Sequence, residues 1–189
     1  MKELLRALTI FTLATAASVV SAQNEPGWRG QGWCEHKRPP NQSPPARLNL
    51  PDWVCEAAYD AKLHTKYSVY SRIKPFFIAA DLNGDRKLDA AVWVTERRTQ
   101  KRGLAIFHRG NERPIILAAG TPWGERGDDF SYVDKWSVIP RGQPIISDHE
   151  EGGEEVRLEA DALILIRSER ASFAVFWNGK EYKSYQQSD

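Results

Sequence analysis

Past residue 22 the chain has no apolar run that could cross a bilayer, no imbalance of charge and only two cysteines. A spanning helix needs about 20 consecutive apolar residues, so none is expected there. With 26 Lys and Arg against 25 Asp and Glu, the surface has no general positive excess with which to displace counterions from phosphate. That argues against a nucleic-acid binder. None of His36, His64, His108 and His149 stands in the His-x-His or His-x-x-x-His spacing that would bring two imidazoles onto one zinc ion. Neither a Gly-x-Ser-x-Gly nucleophile turn nor a glycine-rich phosphate or dinucleotide loop occurs. Asp128 and Asp129 are adjacent, so on an extended strand they face opposite ways and cannot act as acid and base across one bond. These absences point away from an enzyme.

The one long apolar run is at the start. In MKELLRALTIFTLATAASVVSA, Lys2 and Arg6 precede an uncharged body of 16 residues, Ala7 to Ala22, that ends in small residues. This is the pattern of a secretory signal peptide over residues 1–22, cut ahead of Gln23 with Val20 and Ala22 at the recognition positions. The body is short for a membrane anchor, and no cysteine near the cut offers a lipid attachment point. Periplasmic or secreted location follows, and residues 23–189 are enough for one domain with a real core. Cys34 and Cys55 both belong to the exported part, where an oxidising compartment favours one disulfide between them. The alternative is a pair of buried free thiols, with His36 beside Cys34 the only adjacent activating base.

Five of the 11 prolines fall between Pro39 and Pro51, which excludes a regular helix or a central strand there. Residues 23–51 are therefore predicted to form an extended arm tied to the domain by the disulfide. The next segment, DWVCEAAYDAKLHTKY, has a helical apolar spacing with Asp52 as N-cap behind Pro51, and predicts a short helix. From Lys74 the composition turns to short runs of Phe, Val, Ile and Trp separated by Gly, Asn, Asp and Pro. Strands are predicted at 76–80, 90–95, 104–107, 114–117, 135–139, 162–166, 173–177 and 181–185, the last two joined by Asn178-Gly179, a strong hairpin signal. The expected fold is α+β: one domain over 52–189, mostly antiparallel sheet built from hairpins, with the helix and the arm covering one side. Segments 120–134 and 147–155 read as surface loops. The second carries Asp148, Glu150, Glu151, Glu154 and Glu155, a solvated excursion or a surface for a basic partner. Of the seven tryptophans, Trp93, Trp136 and Trp177 sit in strand-like runs and are expected in the core. Trp28, Trp33 and Trp123 sit in glycine-rich segments and are expected to pack onto the arm, an exposed ring suited to a sugar or protein partner being the alternative.

The stretch ADLNGDRKLDAAVWV (80–94) carries the most chemistry. Counting Asp81 as position one, Asp81, Asn83 and Asp85 offer side-chain oxygens at positions one, three and five, and Asp89 at nine. The Lys87 carbonyl is available at seven. A hard ion such as Ca²⁺ takes six to eight oxygens, and a tight loop with alternating oxygen donors can wrap them around one centre. Mg²⁺ suits it less, because it keeps several waters. The other reading is a hairpin turn whose Asp and Asn side chains only bond their own backbone, although four such groups in strict alternation exceed what a turn needs.

The Asp-x-Asn-Gly-Asp-x-x-x-Asp pattern between apolar strands resembles the calcium loop of FG-GAP or VCBS-type repeats, over about 74–94. By position the resemblance implies Asp81, Asn83, Asp85 and Asp89 as ligands, with Lys87 lending its carbonyl. Two positions depart from the pattern. Position six, usually Gly, is Arg86, which must take a left-handed backbone or change the turn. Position twelve is Val92, so the bidentate Glu of an EF-hand is missing and water or a remote carboxylate must complete the shell. With Arg86 and Lys87 adding positive charge, the expected affinity is weak, about 10⁻⁴ to 10⁻³ M. The loop occurs once, which does not fit a propeller. The ending FAVFWNGKEYKSYQQSD also resembles the C-terminal hairpin of small bacterial periplasmic proteins with no established activity. The functional expectation is an exported calcium-binding, binding or structural module of the bacterial envelope, with an envelope protein or glycan as partner. An inhibitor or adhesion factor using the acidic stretch, and a cell-wall hydrolase, are the alternatives.

Overall fold

The computed structural model describes residues 33–34, 50–111, 113–146, 153 and 155–188. The signal segment, most of the arm and most of the acidic stretch lie outside them. The helical segment is split into α1 (Asp52–Asp60) and a single turn, α2 (Leu63–Lys66), because Lys62 between them takes a left-handed backbone, φ 55°. Asp52 is not the N-cap. Pro51 holds that position, and Asp52 is the first helical residue with no capping bond; a carboxylate there still favours the positive end of the helix.

Two antiparallel sheets follow. The first contains β1 (Tyr67–Val69), β2 (Phe77–Ala80), β3 (Asp89–Glu96), β4 (Arg102–Phe107) and β5 (Ile115–Ala118). β3 is its centre: β4 pairs along one side, while β1 and β2 share the other end to end, β2 against Asp89 to Val92 and β1 against Val94 to Glu96. After β6 (Lys135–Ile139), a small ribbon of β7 (Pro144–Ile146) and β8 (Glu155–Arg157) intervenes. The chain then forms β9 (Ala162–Arg167), β10 (Ala171–Trp177) and β11 (Tyr182–Ser188), and the second sheet runs β11-β10-β9-β6. All eight predicted strands are present, with ends shifted by a few residues at most. The three unpredicted ones, β1, β7 and β8, are only three residues long, too short for an alternating pattern to register. At the predicted hairpin, Trp177 pairs with Tyr182. The Asn178 side-chain oxygen accepts the N–H of Lys180 at 3.0 Å and of Glu181 at 2.9 Å, and Gly179 takes φ 91°.

Strand alternation sorts side chains into layers. From β3, Ala91 and Trp93 point with Leu104, Ile106 and Leu117 toward Trp136, Leu163, Leu165, Phe173 and Val175 of the second sheet. On the opposite face, Ala90, Val92, Val94, Ala105 and Phe107 pack under α1 through Val54, Cys55 and Ala58. Beyond the second sheet, Ala174 and Phe176 meet Ile145 and Leu158 at the ribbon. The order is helix, sheet, sheet, ribbon, which leaves every residue of β3 buried. Each fully buried Leu, Ile or Phe in such a core stabilises the fold by about 1.5–3 kcal/mol.

The helix covers one side of the first sheet as expected, and a disulfide joins Cys34 to Cys55. Trp33 beside it is fully buried and donates from Nε1 to the Tyr67 carbonyl at 3.2 Å, so it is a core residue and not an exposed binding ring. The segment 120–134 is not wholly a surface loop either. Phe130 and Val133 are buried in it, because the Phe130 N–H donates to the Arg102 carbonyl at 2.8 Å and draws the segment across the end of the core. Trp93 and Trp136 are buried as expected, meeting edge to face at 5.5 Å, while Trp177 is half-buried against the same cluster.

Candidate metal centre

Ala80 pairs with Asp89, so residues 81–88 form the hairpin loop between β2 and β3. Its polar side chains bond to backbone further along the loop, as Asp and Asn do in turns. Asp81 Oδ1 accepts the Gly84 N–H at 2.8 Å and Oδ2 the Arg86 N–H at 3.0 Å. Asn83 Oδ1 accepts from Asp85 at 3.0 Å, and Asp85 Oδ1 from Lys87 at 2.9 Å. Asp89 is fully buried. Its Oδ2 accepts from Leu82 at 3.1 Å and its Oδ1 from Arg109, at the end of β4, at 2.8 Å. This network turns Arg86 to φ 65° and Gly84 to φ 84°.

Burial, reinforced by the charges of Asp85 and Asp81, pushes the Asp89 carboxyl up to about 6 despite its two backbone donors. The Lys87 N–H, with the Lys87 ammonium 3.4 Å from Asp85 Oδ2, holds the exposed Asp85 carboxyl below its ordinary value. Among the described residues, Asp81, Asp85 and Asp89 included, no group of three or more His, Cys, Asp and Glu side chains is placed to hold a metal ion. The loop's donor set is all hard oxygen, with an amide and a carbonyl beside the carboxylates, which is the chemistry Ca²⁺ takes.

The loop is docked onto the second sheet by residues that no local pattern marks. Asp81 donates its N–H to Asp161 Oδ2 at 3.1 Å and accepts the Asp161 N–H at its carbonyl at 2.8 Å. Asp161 Oδ1 accepts the Arg141 N–H at 2.9 Å. The Arg141 guanidinium donates to the Glu159 carbonyl, from Nε at 2.7 Å, and its Nη2 lies 3.4 Å from the Gly84 carbonyl and 3.9 Å from Asp81 Oδ2. A β-carbon on Gly84 would meet the Glu159 carbonyl oxygen at 3.4 Å. Underneath, Leu82 is fully buried and its carbonyl accepts from Tyr182 Oη at 3.3 Å, which in turn lies 2.7 Å from His108 Nε2. Burial pushes His108 down, against the opposing pull of Asp85, and drives Tyr182 up.

The other candidates do not gather here. Asp128 pairs with Lys101, whereas Asp129 accepts from the Arg102 and Ser131 N–H groups, both at 2.9 Å, so the two do point to different partners. His64 stacks on Tyr59 at 4.3 Å. Trp123 is half-buried and meets Phe130 edge-on at 5.9 Å. Trp28, His36, His149, Asp148, Glu150, Glu151 and Glu154 lie outside the described residues; Glu155 is an exposed residue opening β8. Among the described residues no helix is long and apolar enough to cross a membrane. Comparison with known proteins finds no matching family model, no matching curated protein and no matching solved structure.

Proposed function

We propose that the chain is an exported binding or structural module of the cell envelope in which the loop from Asp81 to Asp89 takes one Ca²⁺ weakly and thereby stiffens the joint between the two sheets. Side-chain oxygens of Asp81, Asn83, Asp85 and Asp89 and the Lys87 carbonyl would hold the ion. When bound it supplies positive charge, which offsets the repulsion among the three carboxylates. The observation that carries the reading is Arg86 at φ 65°: the chain accepts a left-handed backbone at position six on a residue that disfavours it, where loops of this pattern use Gly. The Cys34–Cys55 disulfide supports export to an oxidising compartment.

The protein's own residues prepare the loop in three ways. The aspartate and asparagine side chains fold the backbone inward, Leu82 anchors it in the core, and Asp161 fixes its entry. A metal that binds the folded chain and not the unfolded one stabilises by mass action. Melting in 10 mM Ca²⁺ should therefore exceed melting in chelator by about 3 to 10 °C for the affinity expected above, with Mg²⁺ giving a smaller shift. Asp85→Asn should reduce the calcium shift. Identical midpoints in chelator and in Ca²⁺ would refute the reading.

A further inference from the structure

We infer that Arg141 acts as a built-in cation for the Asp81 to Asp89 loop, neutralising it when no ion is bound and opposing the entry of a divalent ion. This rests on the calcium reading above. Arg141 lies 57 residues from Gly84 along the chain, in the turn between β6 and β7, and its side chain crosses to the loop. Its guanidinium donates to the Glu159 carbonyl, approaches the Gly84 carbonyl at 3.4 Å and stands 3.9 Å from Asp81 Oδ2. It thus faces a carbonyl and a carboxylate of the same loop that would hold the ion. Asp81 is mostly covered there, its side chain 17% exposed, and the Arg141 side chain is 43% exposed. The backbone beneath is fixed, since the Arg141 N–H is bound to Asp161 Oδ1 and Asp161 to Asp81. A fixed positive charge within a few ångström of Asp81 lowers the energy of the ion-free carboxylate and raises that of a divalent cation beside it. One residue would then both balance the negative charge of the loop and oppose the uptake of a divalent ion.

Calcium chloride titration of the full chain, read by calorimetry and by melting, tests this with Arg141→Gln and Arg141→Lys. Arg141→Gln should bind Ca²⁺ roughly three- to tenfold more tightly than the unmodified chain and melt lower than it in chelator. Arg141→Lys, which keeps the charge, should stay within about twofold of the unmodified affinity. If Arg141→Gln does not fold, Arg141→Met is read in its place, because its apolar stem can still cover the Glu159 turn. Equal or weaker calcium binding by the uncharged variant overturns the inference while leaving the calcium reading intact. Binding by Arg141→Gln alone upholds the inference and refutes calcium uptake by the natural chain. Should Gln and Lys tighten binding equally, the guanidinium fork and not its charge is responsible, and the inference fails. Absence of binding in every protein sinks both.

Discussion

Arg86 has the least favourable backbone in the loop for its residue type. A side chain with a β-carbon held at φ 65° raises the energy of the fold by about 1 kcal/mol relative to a residue without one. Arg86→Gly should therefore stabilise the chain by about 0.5–1 kcal/mol, the gain being trimmed by the greater freedom of glycine in the unfolded state. A urea midpoint that rises without a change in slope is the expected result. Because the same substitution removes a positive charge, it should also tighten calcium binding. An unchanged or lower midpoint would show that Arg86 makes a compensating contact. Position six is legible in the sequence as an anomaly, since a reader who knows the loop pattern sees an arginine where glycine belongs. What the arginine does there is a matter of backbone geometry.

Among the elements, α1 depends on the disulfide for its cover. Cys55 lies in the helix and Cys34 follows Trp33, whose ring fills the space between the helix and the first sheet and meets Phe107 edge-on at 5.7 Å. Cross-linking residues 21 apart restricts the unfolded chain by about 3 kcal/mol on the chain-entropy account. Replacing both cysteines with serine should lower stability by roughly that amount, and the fluorescence of the buried Trp33 should move toward that of a hydrated indole. A loss well under 1 kcal/mol, with unchanged fluorescence, would mean that Trp33 holds the helix without the bond. The strands tell a complementary story. Those with alternating or continuous β-branched and aromatic runs, such as β3 and β10, announce themselves. β1 and β7 form only because β3 and β8 present edges for them to pair with.

For the molecule as a whole, two buried groups give opposite responses to acid. His108 is held below its ordinary value of 6.5 by burial, so the folded chain refuses a proton that the unfolded chain accepts. Its contribution is intact above pH 6.5 and is lost as pH falls toward the depressed value. Asp89 is raised from 3.8 to about 6. Its contribution is greatest below about 4 and is lost as pH rises through 6. Melting from pH 7 to 5 should separate the two: His108→Gln keeps a partner for Tyr182 but does not titrate. The melting advantage of the natural chain over this variant should shrink steadily across that range. An advantage independent of pH would place the His108 effect in packing alone.

The sequence by itself determined the order of the major strands, the hairpin at Asn178-Gly179, the pairing of the two cysteines and the oxygen-rich turn between β2 and β3. Each is written in neighbouring residues, through period-two alternation, turn chemistry or a count of two. Tertiary structure alone decided that Trp33 and Phe130 are interior, that Asp89 is buried on two backbone donors, and that Asp161 and Arg141 close over the loop. Apart from the Leu82 N–H on Asp89, 7 positions away, those contacts join residues 20 to 80 positions apart, and no local periodicity encodes which strand ends the packing of two sheets will bring together.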